Sequence, residues 1–187
     1  MYPALIIGSN WIDKIMPEEP SSTVRFSRVL IAMRHAKSDW SDGSLSDHDR
    51  PLNKRGCRDA PRLAHWLDEL NLVPDLILSS TSERTRQTAA LMRQEWKRDP
   101  VVSYTQSLYL AGPDAIKKTI GRDGCDVERL MVLAHNPGIA HFVSLLAGKQ
   151  VDMPTAAIAV FRVTAVDWSK FNSDDVELVQ YMRPKAL

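Results

Sequence analysis

Two arginines and two histidines of this 187-residue chain stand just beyond short apolar runs. Arg34 and His35 follow Val29-Leu30-Ile31-Ala32-Met33. Arg84 lies in Ser79-Ser80-Thr81-Ser82-Glu83-Arg84-Thr85, which follows Leu76-Ile77-Leu78. His135 follows Leu130-Met131-Val132-Leu133-Ala134 and opens His135-Asn136-Pro137-Gly138. Arginine binds phosphate through two parallel hydrogen bonds. Histidine serves as nucleophile or acid–base at neutral pH. Singly, each residue has an ordinary reading: a solvated or ion-paired arginine, a satisfied structural histidine. Brought together, four cationic or potentially cationic side chains repel one another and need an anion to balance them. The simplest pocket they make is one for a phosphate group.

Whether they meet depends on the elements that carry them. The three apolar runs are short and continuous, as strands buried on both faces are. Residues 57–70 place Ala60, Leu63, Ala64, Leu67 and Leu70 at the spacing of one helix face. Residues 82–96 read as a second helix, through Thr88, Ala89, Leu91, Met92 and Trp96. Residues 113–121 read as a short helix starting at Pro113, a favoured first-turn residue. Residues 138–147 form a helix ended by Gly148. Ala156 to Val163 is strand-like, and Val176 to Met182 is predicted as another strand. The alternation predicts an α/β fold, a three-layer α/β/α sandwich with a mainly parallel central sheet. In open α/β sheets ligands sit beyond the carboxyl ends of the strands, where the four side chains stand. Residues 1–27, with Pro17-Glu18-Glu19-Pro20-Ser21-Ser22, read as an N-terminal extension. The domain is expected over 28–187.

Composition narrows the partners. The net charge is +1, from 24 basic against 23 acidic residues. That balance gives no field to draw nucleic acid or an anionic membrane. No apolar run approaches the ~20 residues of a membrane span. The start, MYPALIIGSNWI, lacks the basic region and cleavage site of a signal peptide. A cytoplasmic monomer without nucleic-acid or membrane partners is expected. Cys57 and Cys125 form no CxxC pair and no zinc-ligand grouping, so two reduced thiols and no metal are expected.

The segments "MRHAKSDW…DHDRPLNKRG", "LILSSTSERTRQTA" and "VLAHNPG" resemble the histidine phosphatase superfamily. The nearest likeness is to its small branch of SixA-like phosphohistidine phosphatases. The resemblance runs from about Val29 to Met182, with the three motifs in the family's order. The family's signature is usually Arg-His-Gly; here Ala36 replaces the glycine, as is common in the SixA-like branch. The resemblance implies a phosphoglycerate mutase-like fold and a metal-independent phosphatase without cofactors. It also implies that His35 attacks phosphorus and is phosphorylated, and that water then hydrolyses the phosphohistidine. Arg34, Arg84 and His135 would clamp the nonbridging oxygens. One ring nitrogen of His35 must then be bare and the other held by a hydrogen bond, for which a backbone carbonyl is the usual acceptor. No DxD-type carboxylate set stands at a strand end, and no GxxxxGK[ST] loop is present.

Other residues carry open readings. Ser38 either reaches a phosphate oxygen or is a local structural hydroxyl. Asn136 is a candidate to bind phosphate or orient the pocket. Asp49-Arg50-Pro51-Leu52 and Arg55-Gly56 read as a family segment or as an ion pair and the start of a helix. His48, His65 and His141 are left as structural or solvated. A phosphate ester needs its leaving alkoxide protonated, yet no clear acid stands out among Asp42, Asp47, Asp49 and Asp114. An imidazole leaving group, with a pKa of about 6.5, departs without much help. A phosphohistidine protein is therefore the expected substrate, with a small phosphate ester as the alternative. A non-catalytic phospho-ligand module would be expected to lack the nucleophile or a clamp residue.

Overall fold

The computed structural model describes residues 28–187; the extension read over 1–27 lies outside the described residues. Among the described residues six strands and four α-helices follow one another: β1 (Arg28–Arg34), α1 (Lys54–Glu69), β2 (Leu76–Ser80), α2 (Glu83–Glu95), β3 (Val101–Thr105), α3 (Pro113–Asp123), β4 (Arg129–Ala134), α4 (Gly138–Ala147), β5 (Ile158–Val163) and β6 (Val176–Met182). They build one six-stranded sheet in the order β3-β2-β4-β1-β5-β6. The first four strands of that order run parallel, whereas β5 and β6 join antiparallel. The sheet is therefore mixed, with the parallel part carrying the three apolar runs.

Alternation along the strands sets the layers. Ile31 and Met33 of β1 pack with Ala60, Leu63, Ala64 and Leu67 of α1 and with Ala89 and Met92 of α2. Leu30 and Ala32 point to the other face, with Ile116 and Ile120 of α3 and Ile139, Phe142 and Val143 of α4. Successive strand residues face opposite ways, so a run with no polar break requires helices on both faces. Leu63 and Leu67 are fully buried, and each contributes roughly 1.5–3 kcal/mol by leaving water. Helix α1 starts at Lys54, earlier than its apolar period indicates, because the Asn53 side chain accepts the Gly56 N–H at 3.0 Å. Helix α4 ends at Gly148, whose φ of 62° is left-handed, as expected of a glycine cap.

One strand has no counterpart among the runs read from the sequence. Val101–Thr105 pairs with β2 at the sheet edge, and no residue of it is buried. An edge strand with exposed faces has no continuous apolar run to announce it.

Register brings the strand ends level. Arg34 lies opposite Ala134 in the β1–β4 pair, and Leu133 lies opposite Ser79 of β2. His35 and His135 come next on β1 and β4, and Ser80, the last residue of β2, is level with Ala134 just before them.

Candidate active site

His35 is the first residue past β1, and its N–H donates to Ala134 O at 3.1 Å. Its own carbonyl accepts the Ala156 N–H at 3.0 Å, and the next N–H, of Ala36, donates to Thr88 Oγ1 at 3.1 Å. The peptide after the histidine is therefore fixed at both ends. The ring is fixed as well: Nδ1 lies 2.7 Å from Ala36 O. A carbonyl only accepts, so Nδ1 carries the proton and donates it. Burial pushes the His35 imidazole down to about 3; Arg84 and Arg34 push the same way, against the Ala36 carbonyl and Asp47. The ring is neutral at physiological pH, with an unprotonated Nε2.

His135 is the counterpart after β4. Its ring centroid lies 5.0 Å from that of His35. Nδ1 accepts from Arg84 Nη2 at 3.3 Å, since a guanidinium has donors only. The proton is then on Nε2, which donates to Ser80 Oγ at 2.8 Å. Burial lowers this imidazole to about 3 as well, helped by His35 and Arg84.

Arg84 sits in the first turn of α2 and is almost wholly buried. Nη1 donates to Asp47 O, and Nη2 donates to Asp47 Oδ2 at 2.9 Å. Arg34 donates through Nη1 to Met153 O at 3.0 Å, while its buried Nε has no partner. Burial and the Arg84 charge pull the Arg34 guanidinium below its ordinary range, but an arginine remains a cation. The structure thus gathers His35, His135, Arg34 and Arg84 as the strand ends required.

Two of the weaker candidates stand apart. Ser38 pairs with Leu52 in an isolated bridge, and its hydroxyl accepts from Trp40 Nε1 at 3.0 Å. Asn136 donates from Nδ2 to Met153 O at 3.0 Å, the carbonyl that Arg34 also uses. Among the described residues no hydrogen bond joins either side chain to the two histidines or to Arg84. Of the four carboxylates, Asp42 and Asp49 are exposed within their own loop, bound to Ser44 and to Ser46 and His48. Asp114 lies exposed in the first turn of α3. Only Asp47 reaches the cluster.

Three contributors were not singled out from the sequence. Tyr109 follows β3, donates its hydroxyl to Asp47 Oδ2 at 2.8 Å and sets its ring edge-on to His135 and His48. Ser80 holds His135. Thr88 holds the Ala36 N–H and donates to Arg84 O at 2.6 Å. Thr88 was legible only as an inward helix position, and nothing in the sequence marks Tyr109. Two close backbone approaches keep the loops in place. A Cβ on Gly56 would lie 2.3 Å from Lys37 O, and one on Gly138 would lie 1.6 Å from Ala111 O. The segment "DRPLNKRG" thus ends in a helix start that touches the loop after His35. Among the described residues no group of three His, Cys, Asp or Glu side chains is arranged to hold a metal ion, and both cysteines are free.

A family model of the histidine phosphatase superfamily (branch 1) matches residues 30–106. An uncharacterised chloroplastic protein of Arabidopsis thaliana is 34% identical over 160 residues, spanning 81% of this chain and 72% of that protein. The chain belongs to the histidine phosphatase superfamily. Within the superfamily it is similar to a protein assigned as phosphohistidine phosphatase SixA from Nakamurella multipartitia. The TM-score is 0.74 at 26% identity, covering 84% of this chain and 96% of that one. A second SixA of the same assignment, from Agrobacterium tumefaciens, gives a TM-score of 0.71 at 26% identity, covering 84% and 98%. These likenesses place the chain in the SixA-like branch, whose enzymes work through a phosphohistidine intermediate. The departure at Ala36 is accommodated: its methyl group is fully buried in the core beside α1 and α2.

Proposed function

We propose that the protein removes phosphate from phosphohistidine side chains of other proteins, with His35 as the phosphoryl acceptor. The observation that carries this reading is the state of His35. Its Nδ1–H is tied to Ala36 O and its ring is neutral, so Nε2 has a free lone pair beside two arginines. Attack by Nε2 on phosphorus breaks the P–N bond of the substrate. His35 keeps its Nδ1 proton and becomes a phosphoimidazolium, so no proton has to leave it. Arg34 and Arg84 balance the charge on the nonbridging oxygens, as fixed cations do most effectively. His135 steadies Arg84 through Nδ1.

The choice of leaving group follows from the carboxylates. Burial raises the Asp47 carboxyl, but hydrogen bonds from Tyr109 and Arg84 outweigh it and hold the group below its ordinary range. The carboxyl that reaches the cluster is therefore ionised and unable to donate a proton to an alkoxide. An imidazole leaving group of pKa about 6.5 does not need that donation. The similarity to proteins assigned as SixA supports the same substrate class.

The test is transfer of labelled phosphate from a phosphohistidine peptide. The wild type should acquire an acid-labile label on His35, and His35→Ala should neither label nor turn over. Phosphoserine peptide and a sugar phosphate should be poorer substrates. Preference for the sugar phosphate would reject the substrate class alone, and full activity of His35→Ala would reject the mechanism.

A further inference from the structure

We propose that Asp47 is the general base of the hydrolytic half-reaction, taking a proton from the water that attacks phospho-His35. The proposal rests on the reading of His35 as phosphoryl acceptor. Asp47 lies in the loop between β1 and α1, and its two carboxylate oxygens differ. Oδ2 takes hydrogen bonds from Arg84 Nη2 at 2.9 Å and from the Tyr109 hydroxyl at 2.8 Å. Oδ1 takes none among the described residues. The side chain is 42% exposed, whereas that of Arg84 is 5% exposed. One oxygen is thus anchored on the arginine beside the nucleophile, and the other is open to water.

Neighbouring groups are poorly placed for the same task. Both nitrogens of His135 are engaged, with Arg84 and Ser80. Those of His48 are engaged with Asp49 and Thr81. Asp49 gives one oxygen to Ser46 and the other to His48. Tyr109 is itself a donor to Asp47. Burial and the Asp47 carboxylate raise its phenol.

The step balances. The phosphoimidazolium has Nδ1–H on one side and P–Nε2 on the other. As water oxygen bonds to phosphorus, the P–Nε2 bond breaks and its electron pair returns to Nε2, restoring the neutral ring. The water gives one proton to Asp47, and the product is hydrogen phosphate. Asp47 then loses the proton to solvent. The groups facing Asp47 are Arg84 from α2, Tyr109 after β3 and His135 after β4, with His48 and Asp49 on its own loop. Against burial, hydrogen bonds from Tyr109 and Arg84 and the Arg84 charge hold its carboxyl below the ordinary range.

Rapid-quench labelling separates the two half-reactions. Asp47→Asn keeps an oxygen acceptor for Arg84 and Tyr109 but removes the base. It should label His35 within about threefold of the wild-type rate and hydrolyse the label about 100-fold more slowly. Phosphoenzyme therefore accumulates, and the acid limb of the hydrolysis pH profile disappears. Asp47→Glu, which keeps a carboxylate, should hydrolyse faster than Asp47→Asn. Equal hydrolysis in wild type and Asp47→Asn would overturn the base. So would equal hydrolysis in the Asn and Glu variants, or slowed labelling with unchanged hydrolysis, which makes Asp47 a positioning residue for Arg84. A wild-type His35 that takes no label would remove the reading beneath the proposal instead.

Discussion

Lowering the pH should destabilise this protein through its two site histidines. His35 and His135 are 6% and 2% exposed, and burial with neighbouring positive charge lowers both to about 3. In the unfolded chain each titrates at about 6.5. The folded value lies below the unfolded one, so between these values the unfolded state binds more protons. Stability is then complete above about pH 6.5 and is lost as the pH falls toward about 3. At about pH 5 an imidazole that stays neutral in the fold costs about 2 kcal/mol, and two such imidazoles cost about 4 kcal/mol. The assay is urea unfolding at about pH 7.5 and about pH 5 for wild type, His35→Asn and His135→Asn. Each variant should lose about 2 kcal/mol less than the wild type over that interval, because it lacks one of the two buried imidazoles. Phosphoryl transfer to His35 should also persist at about pH 5, where an exposed imidazole would be protonated. An equal pH-dependent loss in all three proteins would refute the neutral, buried pair.

Other perturbations test the scaffold around the pair. Thr88→Val keeps the shape but leaves the buried Ala36 N–H without its acceptor, which should cost about 1–3 kcal/mol in urea unfolding and lower kcat/KM about tenfold. Gly56→Ala places a methyl group 2.3 Å from Lys37 O. It should lower stability by about 1–3 kcal/mol and slow His35 labelling. EDTA should leave the wild-type turnover rate unchanged.

What was legible in the sequence is what burial dictates. β1, β2 and β4 hold the apolar runs at 29–33, 76–78 and 130–134, which have no polar break because helices cover both faces of the sheet, and the residues that follow these runs were legible from that. The direction of β5 was not legible, because a buried strand has the same composition in either orientation, and that of β6 follows from its pairing with β5. β3 was missed since Val101–Thr105 is exposed at the sheet edge. Asp47 was one of several acids in a loop, and nothing local distinguishes it from Asp42 or Asp49. Its place is set by Arg84, 37 residues further on, and by Tyr109. Thr88 has a helix-face position that packing alone would explain. Arg34 and the two histidines, just past apolar runs, were therefore readable, whereas Asp47 and Tyr109 on loops, Thr88 on a helix face and Ser80 at the end of β2 needed the structure.

The electrostatics of the cluster differ from what four basic side chains imply. Two arginines and two charged histidines would repel and require an anion of higher charge. In the fold the histidines are neutral instead, through burial and the positive charge beside them, and Asp47 supplies one negative charge at Arg84. The arginines thus do two things at once. In the proposed reaction they present cations to the phosphoryl group, and they help keep the nearby imidazole unprotonated, the form that the proposed attack requires. A charged His35 would balance phosphate more strongly but would have no lone pair for phosphorus. In the proposed reaction, the lone pair of His35 is kept available by the same desolvation and the same charges that suit the pocket to an anion.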